Sequence, residues 1–365
     1  MTDILISGAG VAGPTLAYWL ARNGFRATVI ERSDKPRSSG NPVDVRGPAV
    51  PVVEAMGVMP RIRAAATSVT SMAFVDADGR TKARIRMPSA AGRGPEVEVP
   101  RSDLAAILHD AARADAEFVF DDTITTLAQD EAGVDVTFAR AAPRRFDLVI
   151  GADGLHSTVR RLAFGPEEAY LHHAGLYVAT TPLGRAAERN DRVEIYNTPG
   201  RLASIHPARG QAIAAFIYRS PQIPGLDYRD TERHRQLVAD AFDGGGWRVG
   251  ELLERVRETD DLYFDAVSKV ILPTWTRGRI GLVGDAASCV SLLGDGSSLA
   301  IAGAHTLATS LAEHRADHTE AMRAYERKHR RLVEPKQRNI RLAAAMLVPK
   351  SRTALAARTL AAKIM

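Results

Sequence analysis

Three glycines near the start of the chain, Gly8, Gly10 and Gly13 in SGAGVAGP, stand at the G-x-G-x-x-G spacing. The first lets the chain turn, the second lets backbone approach a pyrophosphate, and the third lets a helix pack closely on a strand. A helix starting there points free N–H groups at phosphate. Glu31 closes the next apolar run, RATVIE, where a carboxylate can accept hydrogen bonds from a ribose diol. Two more carboxylates follow apolar runs: Asp153 in DLVIGADGLHSTVRRLAF and Asp285 in RIGLVGDAASCVSLLGDGSS. After Asp285 come the small residues Ala286, Ala287 and Ser288, then Gly294, Gly296 and Ser297 at a helix start. Small residues admit close approach of a ligand, and N–H groups at a helix start suit negative charge.

Those residues need elements to hold them. Residues 3–31 read as strand, glycine turn, helix and strand, with Leu16, Ala17, Leu20 and Ala21 at helical spacing. Asp153 and Asp285 each end a hydrophobic strand. Ligands of open α/β sheets bind beyond the carboxyl ends of strands, so the three strand ends are expected to converge on one long ligand. Around Ser71–Pro100 and again before Ile271 the pattern changes to short alternating strands, with a polar helix over Thr231–Phe242. Hairpin-like strands are expected from FVFDDTITTLAQDE to RRFDLVIGADG, and C-terminal helices with breaks at Pro335 and Pro349. The expected fold is α/β: a Rossmann-like dinucleotide-binding domain (1–70, 101–165 and 271–320), an inserted antiparallel β-sheet substrate domain (71–100 and 166–270), and C-terminal helices (321–365).

The 365 residues suffice for two cores and a large cofactor, and 45% apolar with 25% charged residues is an ordinary globular composition. A net charge of +5 favours anionic small molecules mildly. No aromatic-interleaved basic motif points to nucleic acid, and the basic run after Arg323 is interrupted by Glu326 and Glu334, as on a solvated helical face. The lone Cys289 excludes an intramolecular disulfide and reads as an inert packed thiol. With no long apolar segment and no basic stretch ahead of Ile4-Leu5-Ile6, a cytoplasmic location without membrane association is expected. No metal site is expected.

The glycine fingerprint with Glu31-Arg32, the Asp153-Gly154 motif and the Gly284-Asp285 motif, in that order, resemble the group A flavoprotein monooxygenases with the p-hydroxybenzoate hydroxylase fold. Within that family the chain is most similar to the compact tetracycline-inactivating branch. The resemblance covers almost the whole chain. It implies non-covalent FAD, with NADPH or NADH as co-substrate and O2 as oxidant. Gly8, Gly10 and Gly13 would approach the pyrophosphate, Glu31 would hold the adenosine ribose and Arg32 would lie beside the adenine. Arg46 and Arg101 match flavin-side and phosphate-side arginines. Asp153 would support the pyrophosphate region and nicotinamide access, and Asp285 would bond ribityl or ribose hydroxyls. Gly294, Gly296 and Ser297 would face the flavin N1–C2 carbonyl. The implied activity is hydroxylation of an aromatic or polycyclic, polyketide-like small molecule through a C4a-hydroperoxyflavin, with no general base named.

The loop after Asp285 departs from the family pattern. Val290 and Leu292 replace its prolines, and Ser288 stands in place of a histidine or tyrosine. Two other readings therefore stay open: a same-fold flavoprotein whose FAD is a structural scaffold for a step such as cyclisation, and a plain NAD-binding redox-sensing module. A halogenase is disfavoured because Trp275 stands alone after Pro273. For substrate, alternation places Arg192, Glu194 and Tyr196 on one strand face, with Ser204 and His206, then Ala214, Phe216 and Tyr218, on similar faces. Tyr196, His206 and Phe216 are the candidate lining residues.

Overall fold

A computed structural model describes residues 1–34, 42–86, 95–208, 210–290 and 295–364, so Leu292 and Gly294 lie outside the described residues. The first apolar run becomes the strand Asp3–Ser7 of a six-stranded sheet. Arg26–Glu31 and then Glu117–Phe120 flank it on one side, and Leu148–Gly151, Ile280–Leu282 and Thr276–Arg277 on the other. All pair in parallel except the last. Ile4, Leu5 and Ile6 are fully buried, as expected of a parallel strand covered on both faces. Glu117–Phe120 is thus an edge strand of this sheet rather than a hairpin strand. Its half-buried residues carry no pattern that would separate the two.

The second large sheet has seven strands in the order Tyr263–Val270, Leu171–Pro182, Gln211–Arg219, Arg201–Ala208, Arg192–Thr198, Ser71–Val75 and Thr81–Arg86. Only Arg192–Thr198 with Ser71–Val75 is a parallel pair. The strand Val97–Pro100, expected in this sheet, pairs instead with Pro42–Val45. Val45, Val97 and Val99 are buried in the core of the parallel-sheet half, and that burial decides which sheet the strand joins. Alternation then turns Asp44 and Glu98, which stand opposite one another, away from that core.

One face of the seven-stranded sheet is covered by Thr231–Phe242 and Val249–Glu258, whose Val238, Phe242, Leu252 and Val256 pack on Ala179, Ala203, Phe216 and Tyr218. The helix His318–Leu347 bridges the two halves. Met322, Tyr325 and Val333 lie in the first core, while Ile340 and Ala344 pack against Leu176 and Ile195 on the other face of the seven-stranded sheet. The expected break at Pro335 is absent, because packing on both sides of the proline outweighs the one backbone hydrogen bond it removes. Pro349 does separate this helix from Arg352–Ile364.

Candidate functional site at the strand ends

The parallel strands Asp3–Ser7, Leu148–Gly151 and Ile280–Leu282 are neighbours, so the glycine turn, Asp153 and Asp285 emerge along one edge, as expected. Close backbone contact builds this mouth. A Cβ on Gly8 (φ +108°) would stand 2.5 Å from the Ala152 carbonyl oxygen, and one on Gly13 would strike the Gly8 carbonyl oxygen. Gly10 has nothing within 4 Å of its Cβ position, so its surface is open to a ligand. The helix Ala12–Arg22 begins without a side-chain cap or an acid in its first turn, leaving N–H groups and the positive end of the dipole for phosphate. Glu31 is held at the turn: its carboxylate accepts from Ala9 N–H at 2.8 Å and Ser33 N–H at 3.0 Å. Arg32 beside it is exposed.

Gly284 (φ +64°) lies where the helices Ala12–Arg22 and Gly296–Glu313 meet. A Cβ there would be 3.1 Å from Ala12 Cβ and 3.6 Å from Ala300 Cβ. Asp285 follows, 4.0 Å from Arg101, with both side chains partly exposed to the mouth. The long helix also starts without a side-chain cap, and Ser297 lies buried in its first turn. Arg46 is bound beside that helix start: its guanidinium pairs with Asp295 at 2.9 Å and its N–H donates to Ser298 Oγ at 3.0 Å. Lys336 pairs with the same Asp295 at 3.0 Å. Two cations thus balance an acid next to uncapped N–H groups. Across the mouth, open glycine backbone, two uncapped helix starts and an accessible carboxylate fit the phosphates, diols and flavin edge of FAD.

Asp153 is engaged by the protein itself. It accepts from Ser157 Oγ at 2.5 Å and Val159 N–H at 3.0 Å, at the start of the helix Thr158–Ala163, and burial pushes its carboxyl up against those bonds. It therefore shapes the loop that borders the mouth. Arg160, which no spacing singled out as a site residue, is fully buried and donates to the carbonyls of Ala286 at 3.1 Å and Leu155 at 2.5 Å while pairing with Glu167 at 3.1 Å. One guanidinium ties the loop after Asp153 to the loop after Asp285. His156 pairs with Glu167 at 2.9 Å and with Asp265 of the seven-stranded sheet at 3.3 Å. Against the opposing effect of burial, those carboxylates raise the imidazole to about 9.

The sheet register corrects the candidate lining residues. Tyr196 pairs with Ala203 and Ala203 with Phe216, so all three lie on the helix-covered face. Phe216 is fully buried, edge-on to Phe242 at 5.0 Å, and Tyr196 packs near Trp247 at 6.1 Å. These two are core and rim of the far face. Ser204 pairs with Ile195 instead, so Ser204 and His206 share the opposite face with Thr180, Tyr263 and Asp265. That face looks towards the strand ends: His206 Nε2 lies 3.3 Å from Glu98, and Asp265 reaches His156. Glu98 also accepts from Thr67 Oγ1 at 2.6 Å. Thr180 Oγ1 is buried with no hydrogen-bond partner among the described residues. The interleaved carboxylates are invisible in sequence because Glu98 and His206 come from different sheets and His156 meets Asp265 from a loop of the other half.

Val290 forms an isolated bridge with Lys269, and Cys289 is buried beside it. Among the described residues no cluster of His, Cys, Asp or Glu has the makings of a metal site, and no helix is long and apolar enough to cross a membrane.

Residues 1–338 match the family model described as FAD binding domain. The chain is 35% identical over 339 residues to a flavin-dependent monooxygenase of Legionella longbeachae, covering 92% of this chain and 87% of that one. It is 40% identical over 317 residues, 85% of each chain, to the uncharacterised protein Rv1260 of Mycobacterium tuberculosis. Among solved structures, tetracycline destructase Tet(51) superposes with a TM-score of 0.88 at 31% identity, over 100% of this chain and 96% of that one. Three strand ends, two uncapped helices and this likeness agree: the chain belongs to the FAD-binding-domain family and is a flavin-dependent monooxygenase of group A.

Proposed function

We propose that this monooxygenase takes its reducing equivalents from NADH or NADPH and hydroxylates an aromatic or polycyclic small molecule held between the strand ends and the seven-stranded sheet. When bound, FAD would supply the redox chemistry that couples NAD(P)H and O2 to hydroxylation. The protein's part is to bind and orient. Gly8, Gly10 and Gly13 admit the pyrophosphate, Glu31 accepts from the ribose, and Asp285 with Arg101 faces the remaining hydroxyls and phosphate. The uncapped start of Gly296–Glu313 stabilises negative charge on the reduced ring. The observation that carries the reading is the meeting of both uncapped helices at Gly284, which supports a phosphate site and an electron-acceptor site on one mouth. The printed name of Tet(51) refers to tetracycline, a fused-ring compound, which supports a polycyclic substrate.

Purified protein is expected to be yellow, to release FAD on denaturation, and to consume NAD(P)H and O2 with incorporation of one labelled oxygen atom from O2 into product. Protein that neither carries nor takes up flavin overturns the reading. The altered loop at Val290 favours one second reading, FAD as scaffold for a non-oxygenating step such as cyclisation. Product formed under strict anaerobiosis with oxidised FAD decides for it.

A further inference from the structure

We propose that Glu98 and His206 form a proton-accepting pair, which takes the proton of an acidic phenol or enol hydroxyl on the substrate so that the ring awaiting oxygen is held as its oxyanion. This rests on the monooxygenase reading and adds to it a base and a required substrate group. The placement is the first ground. Alternation turns Glu98 out of the core that holds Val97 and Val99, and turns His206 to the sheet face that looks at the strand ends, so the two meet at 3.3 Å where the halves face each other. Asp44 stands opposite Glu98, and Arg46 at the start of Gly296–Glu313 pairs with Asp44 at 3.4 Å. The pair is therefore one short chain of contacts from the flavin-side helix.

The second ground is cost. Glu98 is 8% exposed and accepts from Thr67, and among the described residues the charge acting on it is that of Asp44, another acid. A carboxyl buried without a cation is a burden on stability, and such arrangements concentrate where a proton must be moved. Burial drives Glu98 up to about 7 and His206 down to about 4. Near neutrality His206 is thus neutral, with a ring nitrogen free to accept, and Glu98 stands close to its midpoint. The surrounding charges are Asp44, itself raised by burial, with Arg46, Glu96 and Asp295 acting on it, and Lys336 on Asp295.

In the step, the substrate O–H bond breaks and leaves its electron pair on oxygen, where it enriches the ring. The proton forms a bond at His206 Nδ1 while the Nε2 proton passes to the Glu98 carboxylate. No electron leaves the substrate and no other reactant is needed. The third ground is Nδ1 itself: no described residue bonds to it, and the side chain is 18% exposed.

The test uses 4-nitrophenol with oxidised holoenzyme, reading the phenolate band across pH, and 4-nitroanisole as the matched probe without a proton. Bound 4-nitrophenol is expected to ionise about tenfold more readily than free, a midpoint about one pH unit lower. In Glu98→Gln and in His206→Gln the midpoint returns to that of the free phenol, while 4-nitroanisole binds all three proteins alike. If Glu98→Gln fails to retain FAD, Thr67→Val is expected to move the midpoint the opposite way, lower than in the wild type, because losing that hydroxyl raises the proton affinity of Glu98; an unmoved or raised midpoint in Thr67→Val overturns the proposal. An unshifted midpoint in the wild type, no phenol binding, or a shift that survives in Glu98→Gln or His206→Gln overturns the proposal. Neither NAD(P)H nor O2 enters the assay, so failure of the monooxygenase reading shows separately, as absent oxygen incorporation.

Discussion

At the glycine turn the structure is made by backbone meeting backbone. Gly8 lies against Ala152, Gly13 against Gly8, and Gly284 between two helices, so that no side chain larger than hydrogen fits. On the facing sheet, Thr180, His206 and Asp265 come from three strands and reach the cleft through side chains alone. The first construction tolerates almost no change. The second can be rewritten one residue at a time without moving the backbone, which is what a change of substrate requires. On the proposed function, cofactor and substrate are thus recognised by two surfaces under different constraints.

The sharpest way to break this contrast is at the two ends of the glycine turn. Gly13→Ala forces a Cβ onto the Gly8 carbonyl and is expected to abolish FAD retention and leave little soluble protein. Gly10→Ala meets no protein atom, so its apo stability should match the wild type while FAD affinity falls about tenfold, on the order of 1.4 kcal/mol. Thermal unfolding with and without added FAD separates the two. Equal losses in both variants would show that the turn's role is folding alone. Next in size is Arg160→Met. Removing the buried guanidinium leaves Glu167 and two carbonyls without it, and a loss of about 3–5 kcal/mol in urea unfolding is expected.

The same contrast explains what could be read from the chain. Glycine spacing, Glu31, Asp153 and Asp285 are local signals: each follows a run of apolar residues, and three such runs suffice to place the mouth. Which candidate residues share a sheet face is not legible in sequence, because alternation gives the face of a residue only relative to its own strand. Tyr196 and His206 were grouped together, yet register sets Tyr196 opposite Ala203 and so puts His206 on the other side. Register depends on turn lengths and burial that no single strand carries. Glu98 stayed hidden for a related reason, since its strand reads as part of one sheet and pairs in another. The charges around His156 come from Glu167, 11 positions on, and Asp265, 109 positions on, so the cluster has no local spacing to betray it.

A substitution on each surface sharpens the division further. Asp285→Ala removes an accessible acceptor beside Arg101 and should weaken FAD retention by about 1–3 kcal/mol, with little change in apo stability. Thr180→Val replaces a buried hydroxyl that has no partner with a methyl of similar size, so apo stability should rise by up to about 1 kcal/mol with FAD affinity unchanged. Loss of FAD from the Thr180 variant would place the sheet face in cofactor binding and dissolve the contrast.

The smallest effects concern two histidines that titrate in opposite senses. His329 is buried against Gly303 with neither ring nitrogen bonded among the described residues, and burial holds it down to about 4. The unfolded chain takes up a proton near the ordinary value of about 6.5 while the folded chain does not, so stability is intact above that value and falls as pH drops towards 4. His156, raised to about 9 by Asp265 and Glu167, stabilises fully below about 6.5 and loses its contribution as pH climbs towards 9. Each limb is expected to span about 1–2 kcal/mol over two pH units, the His156 limb at the lower end because its side chain is a quarter exposed. His329→Leu should flatten the acid limb alone, and His156→Gln the alkaline limb alone, in denaturant titrations at pH 5, 7 and 9. An alkaline limb unchanged in His156→Gln would show that the bridge from the parallel-sheet half to Asp265 carries no net stability, leaving packing of the helix His318–Leu347 as what holds the two halves together.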